Sequence, residues 1–381
     1  MSHDYNKESI DLHKLHHGKI ETKVKVPMND KDDLSRAYTP GVGAVVEALA
    51  KDPSLSREYT LKRNTVAIIT DGSAILGLGN LGATAAIPVM EGKAAILKHF
   101  ADVDAFPICL DTQDTEEIIK AVKQLAPVFG AINLEDIAGP KCFEIEERLR
   151  KELSIPVMHD DQWGTATVVL GGLINALKVT GRENLKDVKI VVNGIGAAGV
   201  ATSRLLISAG YTHIIFCDSK GIIHISRTDL TKEKKELLAA SSLEGFEGGL
   251  REALQDADVF IGVSKAGALT KEMVGGMKKD PIVFALANPI PEIMPDVALE
   301  AGVAVIATGR SDFPNQLNNS LIFPGLFKGV LTANIQQFEI GMFTKAAHAL
   351  AQHVKNPTRE TILPTMFDTE LVDVIAKTVT E

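Results

Sequence analysis

Apolar residues fall into two repeating patterns along the chain. Short, nearly continuous apolar runs at 66–70, 131–134, 155–158, 189–193, 259–263, 282–287 and 303–307 are bounded by glycine, amide, polar or acidic residues. Runs of that length read as strands buried on both faces. Longer stretches, with apolar residues three or four apart, lie between or beyond them at 44–50, 91–100, 162–178 and 326–354. That spacing lays one apolar stripe along each of several helices. Pro88 precedes the second of these and is expected to interrupt any helix there. Strands alternating with helices predict an α/β fold on parallel sheets. A chain of 381 residues exceeds one ordinary core, so two domains are expected, at 1–161 and 162–381, the second ending in a helical segment.

The clearest local unit is 189–218. An apolar run leads into Gly194-Ile195-Gly196-Ala197-Ala198-Gly199, a helical stretch follows, and a second apolar run ends in Asp218. Gly194 permits a tight turn, Gly196 lets backbone approach a pyrophosphate, and Gly199 lets the helix pack on the strand. Phosphates would rest on the helix N-terminus. Asp218 stands at the strand end, where a carboxylate accepts from the adenosine ribose. The second domain therefore reads as a Rossmann-like, doubly wound NAD(P)-binding domain. Asp218 favours NAD, Lys220 offsets its repulsion of a 2′-phosphate, and the choice between NAD and NADP stays open. A second glycine cluster, Gly77, Gly79 and Gly82, has Pro88 after it and no acid at the required distance. It reads as a loop lining a site.

In the first domain, Lys93 lies on the apolar stripe of Met90, Leu97 and Phe100. An inward lysine loses its proton more easily than a free one, although a side chain snorkelling to water fits the same pattern. Tyr38, in a loop with Pro40, Gly41 and Gly43, reads as a proton donor or as an aromatic anchor. Two strands end in paired acids, Glu135-Asp136 and Asp160-Asp161. Parallel strands share one carboxyl edge, so these acids converge and repel unless neutralised. Oxygen ligands without cysteine select Mg²⁺ or Mn²⁺. The plainer alternative is capping, with Asp161 opening the helix that starts near Gln162 and Asp136 opening a turn. Strands of the second domain end in small or amide residues, Ser264, Asn288 and Thr308, suited to a cofactor crevice, and Asn315, Asn318 and Asn319 form an amide cluster beyond them.

The formal charge of −9 argues against a nucleic-acid partner and leaves a small molecule as the partner. Three cysteines without CxxC spacing read as reduced thiols, fitting the cytoplasm. No stretch is apolar and long enough to span a bilayer, and no targeting segment is evident.

The strings SRAYTPGVG, TDGSAILGLGNLG, PVMEGKAAIL, INLEDI, HDDQWGTA, NGIGAAG, ANP and NNSLIFPG, in that order over residues 35–325, together resemble the malic enzymes, most closely the short bacterial form. The resemblance implies oxidative decarboxylation of malate to pyruvate and CO₂ with NAD or NADP and a divalent metal. It casts Tyr38 as acid, Lys93 as base, Asp160 as the partner of the lysine, and Glu135, Asp136 and Asp161 as metal ligands. Asn288 and Asn319 resemble the malate-binding amides, with Asn318 as their neighbour. The long malic enzymes carry a malate-clamping arginine in the stretch held here by Ala74, so this chain must hold that carboxylate through Ser73, loop amides or another cation. A homodimer is the expectation for a soluble enzyme of this type. Two rival readings are a metal-independent amino-acid or hydroxy-acid dehydrogenase, which has no use for the acid pairs, and a non-catalytic dinucleotide sensor, which has no use for Lys93.

Overall fold

The computed structural model describes residues 4–182 and 184–380. Two sheets organise them. The first contains β1 (Thr65–Thr70), β2 (Asp104–Cys109), β3 (Ala131–Leu134) and β4 (Val157–His159), all parallel in the order β2-β1-β3-β4. The second contains β5 (Ile190–Asn193), β6 (Ile214–Asp218), β7 (Gly221–Ile222), β8 (Val259–Gly262), β9 (Ile282–Ala285) and β10 (Val305–Thr308), in the order β10-β9-β8-β5-β6-β7. Only the short β7 runs antiparallel to its neighbour. From β5 the chain steps outward to β6 on one side and returns at β8 on the other. That reversal opens a crevice at the strands' carboxyl ends, where ligands bind in doubly wound folds.

Alternate residues of each strand enter different layers, as the pleat demands. Val191, Ile215, Phe260 and Val283 pack into one core, and their neighbours Ile190, Val192, Ile214 and Phe216 into another. The second of these is continuous with Val66, Ile68 and Met158 of the first sheet. Helices Asp160–Val179, Phe323–Ala333 and Ile340–His353 supply much of this shared layer. The last part of the chain thus returns to the first sheet. Arg57 Nη2 donates to the Leu331 carbonyl at 2.6 Å, and Arg150 Nη2 to that of Phe338.

One local expectation is corrected, and further elements appear outside the apolar patterns. Helix Ala83–Ala101 runs through Pro88: burial of Ala86, Met90, Lys93, Ala94 and Leu97 on one face outweighs the one backbone donor that proline lacks. The charged stretch after Asp218 contains β7 and helix Lys232–Ala240. A final helix, Leu371–Thr380, buries Leu371, Val372, Ile375 and Val379. A Cβ at Gly325 would come within 2.5 Å of Ile375 Cβ, so a glycine is what lets these helices approach.

Candidate active site

The carboxyl edges of the two sheets face each other across a cavity of about 480 Å³, within the usual range for a small-ligand site. From the first sheet it receives Lys93, Glu135, Asp136 and Asp161, and from the second Ala197, Ala198 and Asn288. Asn318 and Asn319 close it from the segment before helix 323–333.

Strand register brings the acids together. Leu134 of β3 pairs with His159 of β4, so the next residues of each strand, Glu135 and Asp160, emerge side by side. Carboxylate oxygens of Glu135, Asp136 and Asp161 lie within 4.8 Å of one another. Asp136 turns through a left-handed backbone conformation, φ 53°, which aspartate tolerates better than most residues. Its N–H donates to Asp161 Oδ2 at 2.8 Å, and its Oδ1 accepts from the Leu76 N–H at 3.3 Å. Asp161 therefore accepts from the neighbouring strand end rather than capping its own helix, which begins at Asp160. Asp136 Oδ2 is buried with no partner. Burial, reinforced by Asp161, raises the Asp136 carboxyl to about 7 and drives Glu135 well above the carboxylate range.

Lys93 is 8 % exposed, so it points inward and does not snorkel. Its Nζ meets Glu135 Oε1 at 2.8 Å and pairs closely with Asp160 Oδ2. The Phe323 ring lies 4.4 Å from the ammonium, a favourable cation–π distance. Burial lowers the lysine pKa, but Asp160, Glu135 and Asp161 together outweigh it and hold the group above its ordinary value. Gly164 is part of this arrangement, since a Cβ there would overlap the Asp160 carboxylate.

One lysine faces four acids, and Glu135, Asp136 and Asp160 among them are buried. An orphaned carboxylate oxygen, an all-oxygen donor set and raised carboxyl pKa values all fit a hard divalent cation.

On the opposite edge Gly194 has φ 105°, and a Cβ there would sit 2.6 Å from the Val263 carbonyl oxygen. A Cβ at Gly199 would overlap the Gly194 carbonyl. At Gly196, by contrast, a Cβ would meet open space, on the side where the first amides of helix Ala197–Ser208 have no intrahelical acceptor. Ile195 is buried beneath the turn.

Residues 17–150 match the N-terminal domain of malic enzymes, and residues 163–381 match the malic enzyme NAD binding domain. The chain belongs to the malic enzyme family. It is 52 % identical to an NAD-dependent malic enzyme of Geobacillus stearothermophilus over 96 % of this chain and 76 % of that one. It is 50 % identical to a bifunctional malic/malolactic enzyme of Bacillus subtilis, over 98 % and 91 % of the two chains. The crystal structure of the NAD-dependent malic enzyme from Thermotoga maritima superposes with a TM-score of 0.94 at 46 % identity, covering 97 % of this chain and 98 % of that one.

Several residues of this chain stand apart from their expected places. Tyr38 is 66 % exposed at the end of helix Lys31–Ala37 and does not line the cavity. Ser73 is not free to hold a substrate carboxylate: its Oγ donates to Asp71 Oδ1 at 2.6 Å and accepts the Ala138 N–H at 2.9 Å. Asn318 Oδ1 accepts from the Ser320 N–H at 2.9 Å and caps the short turn Asn319–Leu321, which leaves Asn319 the freer amide. The glycine loop does line the site through Leu76 and Gly77; a Cβ at Gly77 would lie 2.6 Å from the Asn288 carbonyl. Lys220 turns its Nζ to Asp229 at 2.7 Å, while Arg227 and Lys234 engage Asp218. Arg227, Lys234, Asp229 and Phe323 escape sequence reasoning because no spacing rule connects them to the motifs they touch.

Proposed function

We propose that this chain oxidises malate at its C2 hydroxyl and releases CO₂ to give pyruvate, in the cytoplasm. The observation that carries the proposal is the Lys93–Asp160 pair set beside three convergent acids, across one cavity from the Gly196 turn. Glu135, Asp136 and Asp161 would hold Mg²⁺ or Mn²⁺, which supplies Lewis acidity toward an oxygen of the substrate. The Gly194–Gly199 turn would hold NAD or NADP, which accepts hydride.

Burial is the largest influence on Lys93 and lowers its pKa; the facing carboxylates reverse it. A cation held by Glu135 and Asp161 would weaken two of the carboxylate influences on Lys93 and so favour the neutral amine, the form that would take the C2 hydroxyl proton. Asp160 keeps the amine aimed through its charge-assisted hydrogen bond. Asn288 and Asn319 offer amides to the substrate carboxylates, and Lys93 is the sole cation among the described residues lining the cavity. In this reading the substrate unit spans 1–161 and the nucleotide unit 162–381.

Protonation of C3 requires an acid, and the chain's own Tyr38 lies outside the cavity. Tyr38 belongs to a segment that exposes Ile10, Leu15, Val24 and Val46, and the glycine loop at the cavity exposes Leu76, Leu78 and Leu81. Exposed apolar side chains of this kind are what a subunit interface would cover. The active form in this reading is a homodimer in which Tyr38 of one copy serves the site of the other. Malate-dependent cofactor reduction with Mg²⁺ or Mn²⁺, lost in chelator, tests the activity. Mixing inactive Lys93→Ala with inactive Tyr38→Phe tests the sharing: heterodimers should regain activity, and mixtures as dead as their parents would refute it.

A further inference from the structure

Asp218, at the tip of β6, is the residue by which a chain of this fold would be expected to read the adenosine ribose. Its carboxylate has no acceptor position left. Oδ1 receives the Lys220 N–H at 2.9 Å and Arg227 Nη1 at 2.8 Å; Oδ2 receives Arg227 Nη2 at 2.9 Å and Lys234 Nζ at 2.6 Å. Four donors fill the roughly four lone-pair positions of a carboxylate. The side chain is also only 10 % exposed.

The same guanidinium holds a second carboxylate. Arg227 Nε donates to Asp229 Oδ1 and Nη2 to Asp229 Oδ2, both at 2.9 Å, and Lys220 Nζ adds a third bond to Oδ2 at 2.7 Å. Asp229 is 34 % exposed, and its Oδ1 accepts a single bond. It is therefore the carboxylate of this cluster that retains both access and an open acceptor. Moreover, an arginine fork plus a lysine is the donor set a phosphate monoester would seek. Asp229 occupies that set with the protein's own anion.

We propose that Asp229, rather than Asp218, reads the 2′ position of the dinucleotide: it accepts the 2′-hydroxyl of NAD and excludes the 2′-phosphate of NADP by filling the Arg227–Lys220 cradle. Asp218 is the positioning residue that orients Arg227. The inference rests on the dinucleotide site of the proposed function, and its test is binding, without malate or metal. Titration calorimetry of the full chain should show wild type binding NAD⁺ more tightly than NADP⁺. Asp229→Ala and Asp229→Asn should each move the affinity ratio toward NADP⁺ by at least about tenfold, the scale of one charge-assisted hydrogen bond. Adding Arg227→Ala to Asp229→Ala should cancel that gain. A wild-type preference for NADP⁺, or a ratio that moves with Asp218→Asn and not with Asp229→Asn, overturns the assignment while leaving the dinucleotide site standing. Wild-type protein that binds neither dinucleotide refutes the site itself, and the assignment with it.

Discussion

The two sheet edges that meet at the cavity both carry clustered charge and treat it in opposite ways. On the first edge, Glu135, Asp136 and Asp160 are buried with Lys93, and both Asp136 Oδ2 and Asp160 Oδ1 lack partners. On the second, Asp218 and Asp229 are saturated or nearly so by Arg227, Lys234 and Lys220 close to the surface. A buried carboxylate without a partner is costly, and a cation at the proposed site would relieve that cost at Asp136. The second edge is already complete, and a ligand there must compete with the protein. Incompleteness thus marks the edge proposed to hold a cation, whereas saturation marks the edge proposed to set selectivity.

The contrast is broken most directly at Lys93. Lys93→Ala should lower turnover by roughly 10²–10⁴-fold or more and abolish the single-turnover burst of reduced cofactor. Tyr38→Phe, removing only the later proton donor, should lower steady-state turnover on a similar ~10²–10⁴-fold scale yet keep that burst. Loss of the burst in both would show that the two residues act as one unit. Gly196→Val separates the edges next, because its side chain would project into the open space beside the helix N-terminus. Dinucleotide titration should then show no heat, with Mn²⁺ binding retained; unchanged dinucleotide affinity would move the nucleotide site elsewhere.

The edges should also respond oppositely to pH. Asp136 is raised to about 7, so between its unfolded value near 4 and 7 the folded protein binds the extra proton. Without metal, that contribution to stability is whole below about pH 4 and is lost as pH rises through about 7. Mg²⁺ or Mn²⁺ binds the deprotonated acids. The metal-induced rise in Tm should therefore grow from pH 6 to pH 8; a rise independent of pH would count against these ligands. Asp218, held at about 2 by hydrogen bonds from Arg227 and Lys234 that outweigh its burial, has the reverse sign. Its contribution is present above about pH 4 and is lost as pH falls toward 2. Arg227→Ala should reduce that contribution, by no more than about 1 kcal/mol after solvent screening, visible as a smaller loss of stability between neutral pH and acid than in wild type.

Much of this protein is local in origin and was legible in the order of its residues. Apolar runs marked most of the strands, glycines at 194, 196 and 199 marked the turn between β5 and its helix, and acid pairs marked two strand ends. Each depends on neighbours a few residues away and on the rule that parallel strands share an edge. What the tertiary structure alone decided comes from contacts between distant segments. Pro88 sits within a helix because residues around it are buried by other elements. Phe323 faces Lys93 because the chain's last third returns to the first sheet. Lys93 is paired with Asp160, 67 positions away, and the capacity of Asp218 is set by Arg227 and Lys234. Tyr38 carries a motif yet lies outside the cavity. Periodicity and spacing record which face of an element is buried; which side chains share that burial, and so their protonation and free acceptors, is fixed only when distant elements pack.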